Sequence, residues 1–231
     1  MQKSKYIKRS SWLGSYYELA MEFYPAGDDR RLLAALRGLW SDGCLSGPLD
    51  SPYNYPVEEI TLLSVPAPDE PALRAITAVP LPDSLDACGP DHLYGLMTIP
   101  SYPTIGIDCS IVREEQGSDW LSLSIPTGML EHIVTVDYSL SHEKNPWMDD
   151  VDESFLRLAD SVYAAAPFDL ALIGEQVAGL QRAGTCTAAD IDIGAILVPP
   201  ILAQRFRSSA ASRILPSGVH WFPPNEVRSS G

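Results

Sequence analysis

The side chains best suited to acid–base or metal chemistry near neutral pH are four histidines, His92, His132, His142 and His220. Asp137 lies between His132 and His142 in the chain. Two imidazoles and a carboxylate can form a metal or general acid–base site if the fold brings them together. The alternative is a set of separate structural or surface histidines, because His132 falls on a predicted helix and His142 in a predicted loop.

Two other patterns contain a possible nucleophile. Ser141 and Lys144 match the spacing SxxK, whose chemistry needs both residues on one helical turn, but the following Asn145-Pro146 pair disfavours a helix. Cys109 lies in the apolar stretch IGIDCSIV, where strand alternation places it on the opposite face from Asp108. We therefore interpret the SxxK match as coincidental and Cys109 as a buried structural thiol.

Common cofactor and catalytic motifs are absent from the sequence. It contains no GxGxxG, GxxxxGK[ST], HExxH or GxSxG pattern, and no paired deaminase motif. Four carboxylates lie within residues 149–153, but a calcium loop counted from Asp149 would have Ser154 and Asp160 where it needs glycine and glutamate. These acids suit a helix N-terminus instead, and no resident metal or cofactor is predicted.

Aromatic and acidic residues near the start of the chain form a candidate recognition surface. In the alternating stretch 13–23, Tyr16, Glu18 and Glu22 share the side opposite the leucines, and Tyr53 and Tyr55 follow in a proline-rich loop. Aromatic side chains often anchor protein interfaces, so these five residues are candidate binding residues. The alternative is ordinary cross-strand packing in a sheet that is covered on both sides.

The charge distribution limits the classes of partner. The net charge is −14, and residues 42–160 hold 21 acidic but only four basic side chains. Such a surface repels phosphate backbones, so no nucleic-acid partner is expected. It attracts basic proteins, although acidic surfaces also serve solubility alone.

Hydrophobic periodicity predicts the elements. Strands are expected at 13–23, 58–65, 72–79, 92–99, 104–113, 120–125, 168–174 (a central one) and 193–198, with 41–56 as a loop. Helices are expected over 28–42, 126–133 and 201–207, and a further helix is expected to begin within 149–153 and to end at Pro167. Residues 134–138 are expected to be extended.

The order of these elements indicates the fold class. A strand and a helix, then closely spaced strands, then a helix-rich end favour an α+β fold, with a mainly antiparallel sheet and about three to five helices packed on it. We expect a flexible basic tail over residues 1–10 and a single α+β domain over residues 11–231.

The cysteine spacing and the absence of a visible targeting signal predict the cellular compartment. Cys44, Cys88, Cys109 and Cys186 have irregular spacings without a CxxC pair, and no signal peptide or long apolar run is visible. We expect a cytoplasmic protein with free thiols and no membrane partner.

Three functional hypotheses remain. The first is a protein-binding module that masks a basic partner, as a bacterial immunity protein or antitoxin would. The second is an enzyme with an unfamiliar site, such as a metal-assisted hydrolase using His132, His142 and nearby aspartates. The third is a structural homo-oligomeric subunit without small-molecule chemistry. The sequence favours the first, and it leaves the oligomeric state open.

Overall fold

The computed structural model describes residues 9–12, 14–49, 92–114, 117–138, 140–192, 194–206 and 212–224. Its nine strands form one antiparallel sheet, and with four α-helices among these residues the fold is α+β, as predicted. The strands are β1 (Tyr16–Phe23), β2 (Leu45–Leu49), β3 (His92–Met97), β4 (Ile105–Arg113), β5 (Asp119–Pro126), β6 (Leu170–Glu175), β7 (Ala195–Val198), β8 (Arg213–Ile214) and β9 (His220–Phe222). The helices are α1 (Asp29–Ser41), α2 (Thr127–Leu130), α3 (Trp147–Ala165) and α4 (Pro200–Ala203).

Strand β1 lies at the centre of the sheet, whose order is β2-β3-β4-β5-β1-β6-β7-β9-β8. It pairs antiparallel with β5 on one side and with β6 on the other. The predicted alternation is present, and both faces of the strand are covered. Leu19 and Met21 point into the main core under α1 and α3, on what we call the helix face. Ala20 points into a second core on the opposite side, the loop face.

The loop face is covered by irregular chain rather than by long helices. Residues 176–192 pass over it, and Val177, Cys186 and Ile191 from this stretch pack with Trp120 and Leu172 of the sheet. Helix α4 and a 3-10 turn at Gln204–Phe206 complete this cover. The predicted helix at 201–207 is therefore shorter, because its second half is a 3-10 turn.

Helices α1 and α3 form as their sequence patterns predict. Asp28 caps α1 by accepting a hydrogen bond from the backbone N–H of Arg31, and Leu32, Leu36 and Leu39 form its buried stripe. Helix α3 starts at Trp147, a few residues before its expected start, and ends at Ala165. The carboxylates at 149 and 150 lie in its first turn, where they face the positive end of the helix dipole.

The predicted antiparallel meander is confirmed for β3, β4 and β5. The prediction of a loop over residues 41–56 is wrong for 45–49, which form the edge strand β2. Gly47 and Pro48 are typical of a loop and obscured this strand in the sequence. Proline is tolerated in an edge strand because such a strand pairs on one side only, so the missing N–H of proline can face away from the sheet. The strands predicted at 58–65 and 72–79 lie outside the described residues.

The C-terminal part adds strands to the other side of the sheet. The predicted apolar strand at 168–174 is β6, which lies inside the sheet next to β1. Strand β7 pairs with β6, and β8 and β9 form a hairpin around a turn at Pro216–Gly218. Residues 134–138, for which an extended conformation is predicted, form no strand of the sheet. Among the described helices, none is long and apolar enough to cross a membrane.

The close approach of α1 to α3 depends on Gly38. A Cβ atom at this position would lie 2.7 Å from Cβ of Ala165 and 3.1 Å from the carbonyl oxygen of Ser161. We expect Gly38→Ala to lower the free energy of unfolding by up to about 2 kcal/mol, because overpacking outweighs the gain in helix propensity. Urea unfolding measures this change.

Gly43→Ala is the matched control, since a Cβ at Gly43 meets no atom within 4 Å. We expect its unfolding free energy to stay within about 0.5 kcal/mol of the parent protein. A Gly38→Ala variant as stable as the Gly43→Ala variant would contradict the close packing of the two helices.

Candidate functional site

The structure gives the three catalytic candidates different partners. The Nε2 atom of His132 lies 2.6 Å from Oγ of Ser11, and Oδ1 of Asp137 lies 3.9 Å from Nζ of Lys144. His142 turns toward helix α3 instead. Across the described ranges, no three His, Cys, Asp or Glu side chains are grouped so that they could hold a metal ion. None of these contacts joins His132, Asp137 and His142 into one site.

A buried network joins β1, α3 and the loop before α3. The hydroxyl of Tyr17 donates a 2.5 Å hydrogen bond to Oδ1 of Asp152, and Nε2 of His142 lies 2.9 Å from Oδ2 of the same carboxylate. Tyr17 is 1% exposed and Asp152 is 4% exposed. We call these three residues the Tyr–Asp–His network. It connects the central strand to the surface loop.

Local packing fixes the position of this network. Asp152 lies on the buried side of α3, where Phe155 follows it by one turn. The ring of Tyr17 stacks on Phe155 with centroids 6.0 Å apart and meets Trp147 edge-on, also at 6.0 Å. These aromatic contacts leave the tyrosine hydroxyl aimed at the carboxylate.

Burial dominates the electrostatics of the network. Burial raises the pKa of Asp152 from its ordinary value, although hydrogen bonds from His142 and Tyr17 act in the opposite direction. Burial and the neighbouring Asp152 carboxylate raise the pKa of Tyr17 well above its ordinary value. Tyr17 therefore remains a protonated donor. His142 also faces Asp149, with Nε2 of the imidazole 4.0 Å from Oδ1.

An acidic surface surrounds the outer end of the network. Residues 131–153, which we call the acidic segment, contain seven Asp and Glu residues and only Lys144 among Lys and Arg. Five of these carboxylic residues are exposed, namely Glu131, Asp137, Glu143, Asp149 and Glu153. These carboxylates lie directly after α2, in the loop before α3 and in the first turns of α3.

Asn145 holds the loop of the acidic segment in one conformation. Its buried side chain accepts hydrogen bonds from the backbone N–H of Asp137 at 2.9 Å and from Nε1 of Trp147 at 3.2 Å. Its amide nitrogen donates to the carbonyl oxygens of Asp137 and Ser141. Residues 141–145 form a single hydrogen-bonded turn, in which the backbone N–H groups of Lys144 and Asn145 both donate to the carbonyl oxygen of Ser141, and the helix itself begins only at Trp147, after the proline.

The predicted recognition face of β1 is mostly covered. Tyr16 is partly buried, while Glu18 and Glu22 are 6% and 2% exposed. In this conformation a partner could reach Tyr16 but not the two carboxylates. Tyr53 and Tyr55 lie outside the described residues. A binding role for these five residues stays a prediction.

Neutral donors satisfy both buried glutamates. Glu18 accepts hydrogen bonds from the hydroxyls of Ser122 and Ser124 on β5 and from the backbone N–H of Ala178. The amide donor belongs to the chain that crosses the loop face, so this carboxylate ties the cover to the sheet.

Glu22 repeats the arrangement four residues further along β1. It accepts from the hydroxyl of Ser118 at 2.5 Å and from the backbone N–H of Ala183 at 2.6 Å. The two glutamates thus act as acceptors for the covering chain. For these two glutamates the arrangement corresponds to the alternative of cross-strand packing in a covered sheet. The backbone of the irregular chain over the loop face supplies additional donors.

The described cysteines are free and buried, at positions 44, 109 and 186. Burial raises the pKa of the Cys44 thiol to about 11 and that of Cys186 to about 12. Thiols with such values are almost entirely protonated near neutral pH, so neither is an activated nucleophile.

Sequence reasoning identified His142 but missed both of its partners in the network. In the sequence, Asp152 is one of the four carboxylates within residues 149–153, which we interpret as acidic residues that favour the positive end of a helix dipole. A signal for its separate role was present, because Asp152 occupies the apolar stripe that contains Met148 and Phe155. A charged residue in such a stripe needs a buried partner.

No protein-family model matches this chain, and neither does any curated protein or any solved structure. The fold and the charge distribution therefore carry the functional interpretation.

Removal of the Tyr17 hydroxyl tests the buried network. We expect Tyr17→Phe to lower the free energy of unfolding by about 1.5–3 kcal/mol, the typical contribution of a hydrogen bond to a charged group. The matched control is Tyr138→Phe, because Tyr138 also donates to a carboxylate, that of Glu131, but is exposed. We expect no measurable change in the control, and equal effects in urea unfolding would contradict a special role for the buried bond.

The pH dependence of stability tests the protonation of Asp152. Because burial raises its folded pKa above 3.8, protonation favours the folded state. This stabilisation is fully present below pH 3.8 and is lost as the pH rises through the folded pKa. The Asp152→Asn variant has no carboxyl group to titrate, so it cannot lose this stabilisation. Its free energy of unfolding should therefore rise relative to that of the parent protein as the pH rises from about 4 to 7. Parallel stability curves for the two proteins would disprove the shift.

Proposed function

We propose that this chain is a binding protein that covers a basic partner protein through the acidic segment, in the manner of an immunity protein or an antitoxin. The observation that carries the proposal is the set of five exposed carboxylic residues within residues 131–153, a stretch that contains a single Lys or Arg, Lys144. Oppositely charged surfaces accelerate association and select against wrong partners.

Internal cations neutralise only part of this surface. Lys144 lies 3.9 Å from Asp137, and Arg213 makes two hydrogen bonds to Glu153, at 2.6 and 2.9 Å. Glu143 and Asp149 remain exposed between these pairs. Their carboxylates are available to Lys or Arg side chains of a partner.

The segment is also preorganised, which supports a binding role. Asn145 fixes the loop from below through four hydrogen bonds, and His142 anchors it to Asp152 on α3. A loop that is already ordered loses less conformational entropy on binding than a flexible one. Tyr138, which is exposed beside Glu131, adds an aromatic side chain of the kind that anchors interfaces.

The other two hypotheses have weaker support. A metal-assisted hydrolase would need His132, Asp137 and His142 in one place, but their contacts are with different partners. A homo-oligomeric subunit built on the β1 face would need its glutamates to be accessible, and both are buried. Our proposal places the protein in the cytoplasm, which agrees with the free thiols of the described cysteines.

The test is a pull-down from lysate of the native host at low ionic strength, followed by elution with a salt gradient. We expect recovery of a basic protein that salt releases, because screening weakens attraction between exposed charges. Recovery of no basic protein, or of one that salt does not release, would count against the proposal.

A pair of charge reversals localises the interaction. We expect Glu143→Lys to slow association with the recovered partner several-fold at low salt, because it reverses a charge within the acidic segment. Glu175→Lys is the matched control, since it makes the same change at another exposed glutamate, at the end of β6. Association rates from surface plasmon resonance distinguish the two, and equal rates for both variants would show that binding lies elsewhere.

A further inference from the structure

The imidazole of His142 lies between a buried and an exposed carboxylate of helix α3. Its Nε2 atom is 2.9 Å from Oδ2 of Asp152 and 4.0 Å from Oδ1 of Asp149. The side chain of Asp152 is 6% exposed, whereas that of Asp149 is 70% exposed. The imidazole itself is mostly buried. A single titratable group therefore joins the interior of the Tyr–Asp–His network to the exposed charges of the acidic segment.

The surroundings of this imidazole favour its cationic form. Helix α3, strand β1 and the loop of His142 itself bring titratable side chains to this region, namely Asp149, Asp152, Tyr17, Glu143 and Lys144. Tyr17 stays protonated and donates to Asp152, and Lys144 lies 3.9 Å from Asp137. Partial burial favours the neutral ring. The two carboxylates of α3 that face the ring favour the imidazolium, and an ionised buried carboxylate needs a positive partner.

A proton on His142 changes the charge of the acidic segment but leaves the loop anchored. The neutral ring can still donate a hydrogen bond from Nε2 to Asp152, so the contact with α3 persists in both forms. The cationic ring also places a positive charge 4.0 Å from Asp149, one of the carboxylates available to a basic partner. Between about pH 6 and 8, histidine is the side chain whose charge ordinarily changes, while exposed carboxylates and lysines keep theirs.

We propose that protonation of His142 regulates the acidic segment, because the imidazolium neutralises Asp149 and loss of its proton frees this carboxylate for a Lys or Arg side chain of a partner. The inference rests on the binding role proposed above and adds its regulation. Mild acidification therefore weakens the attraction of a basic partner before any exposed carboxylate of the segment is protonated.

Histidine titration by NMR with the full chain tests the position of the proton. We expect His142 to titrate at a higher pH than His132, whose Nε2 atom lies 2.6 Å from the neutral hydroxyl of Ser11. Asp149→Asn should shift the titration of His142 to lower pH and leave that of His132 in place, because it removes one of the two facing carboxylates. Titration of His142 at or below the pH of His132, or no effect of Asp149→Asn, would overturn the proposal.

Binding of a defined basic probe tests the effect on the acidic segment. The probe is N-acetylated octalysine, whose charge is constant between about pH 6 and 8. We expect the parent protein to bind it about two- to fivefold more weakly at about pH 6 than at about pH 8, the scale of one unit charge at roughly 4 Å in water. Backbone amide shifts of residues 141–149 measure this binding. His142→Gln should lose most of the pH dependence, because its amide can donate to Asp152 but carries no charge.

His132→Gln is the matched control, because it removes another histidine of the acidic segment and should keep the pH dependence. Circular dichroism confirms that each variant is folded. Octalysine binding that is absent or equal at the two pH values in the parent protein, or equally pH-dependent in His142→Gln, would refute the regulation. Neither measurement uses the host partner, so a failure here is distinct from a pull-down that recovers no basic protein.

Discussion

The burial of β1 on both faces is the constraint on which the rest of this structure depends. A central strand with two covered faces needs a core on each side, and the chain builds each core differently. Two helices cover one face, where Leu19 and Met21 point. Irregular chain covers the other, where Glu18 and Glu22 accept hydrogen bonds from the backbone N–H groups of Ala178 and Ala183. A buried carboxylate is costly without hydrogen-bond donors, and a backbone N–H in an irregular stretch is costly without an acceptor. Because each group satisfies the other here, a stretch without regular structure can cover the sheet.

The same strand also positions the surface for which we propose a binding role. Tyr17 points from β1 toward α3 and donates to Asp152, whose other oxygen contacts His142. This places the loop before α3 at a fixed position relative to the centre of the sheet. A loop held in this way can present carboxylates in a constant geometry, which an exposed loop on its own could not do.

Local sequence patterns predicted most elements, because they depend on residues that are near one another in the chain. The alternation of β1, the leucine stripe of α1 and the strands of the meander could all be predicted. Strand β2 could not, because Gly47 and Pro48 are typical of a loop and are tolerated there only at a sheet edge. The sheet order, which puts β1 between β5 and β6, depends on contacts between distant residues. For the same reason, the partners of His142 and the covered state of Glu18 and Glu22 became visible only in three dimensions.

The order of β1, β5 and β6 along the chain also affects how the protein is made. Its two neighbours, β5 and β6, are residues 119–126 and 170–175, so β1 emerges from the ribosome long before the strands that pair with it. At ordinary synthesis rates, the roughly 150 residues between β1 and the end of β6 take about 8 to 30 s to add. For roughly the first 100 of these residues, until β5 has been added, a strand built for two buried faces is without either neighbour, and its apolar residues are open to non-native contacts. Completion of the sheet centre is therefore a late, post-emergence event, and the nascent chain depends on remaining unaggregated until then.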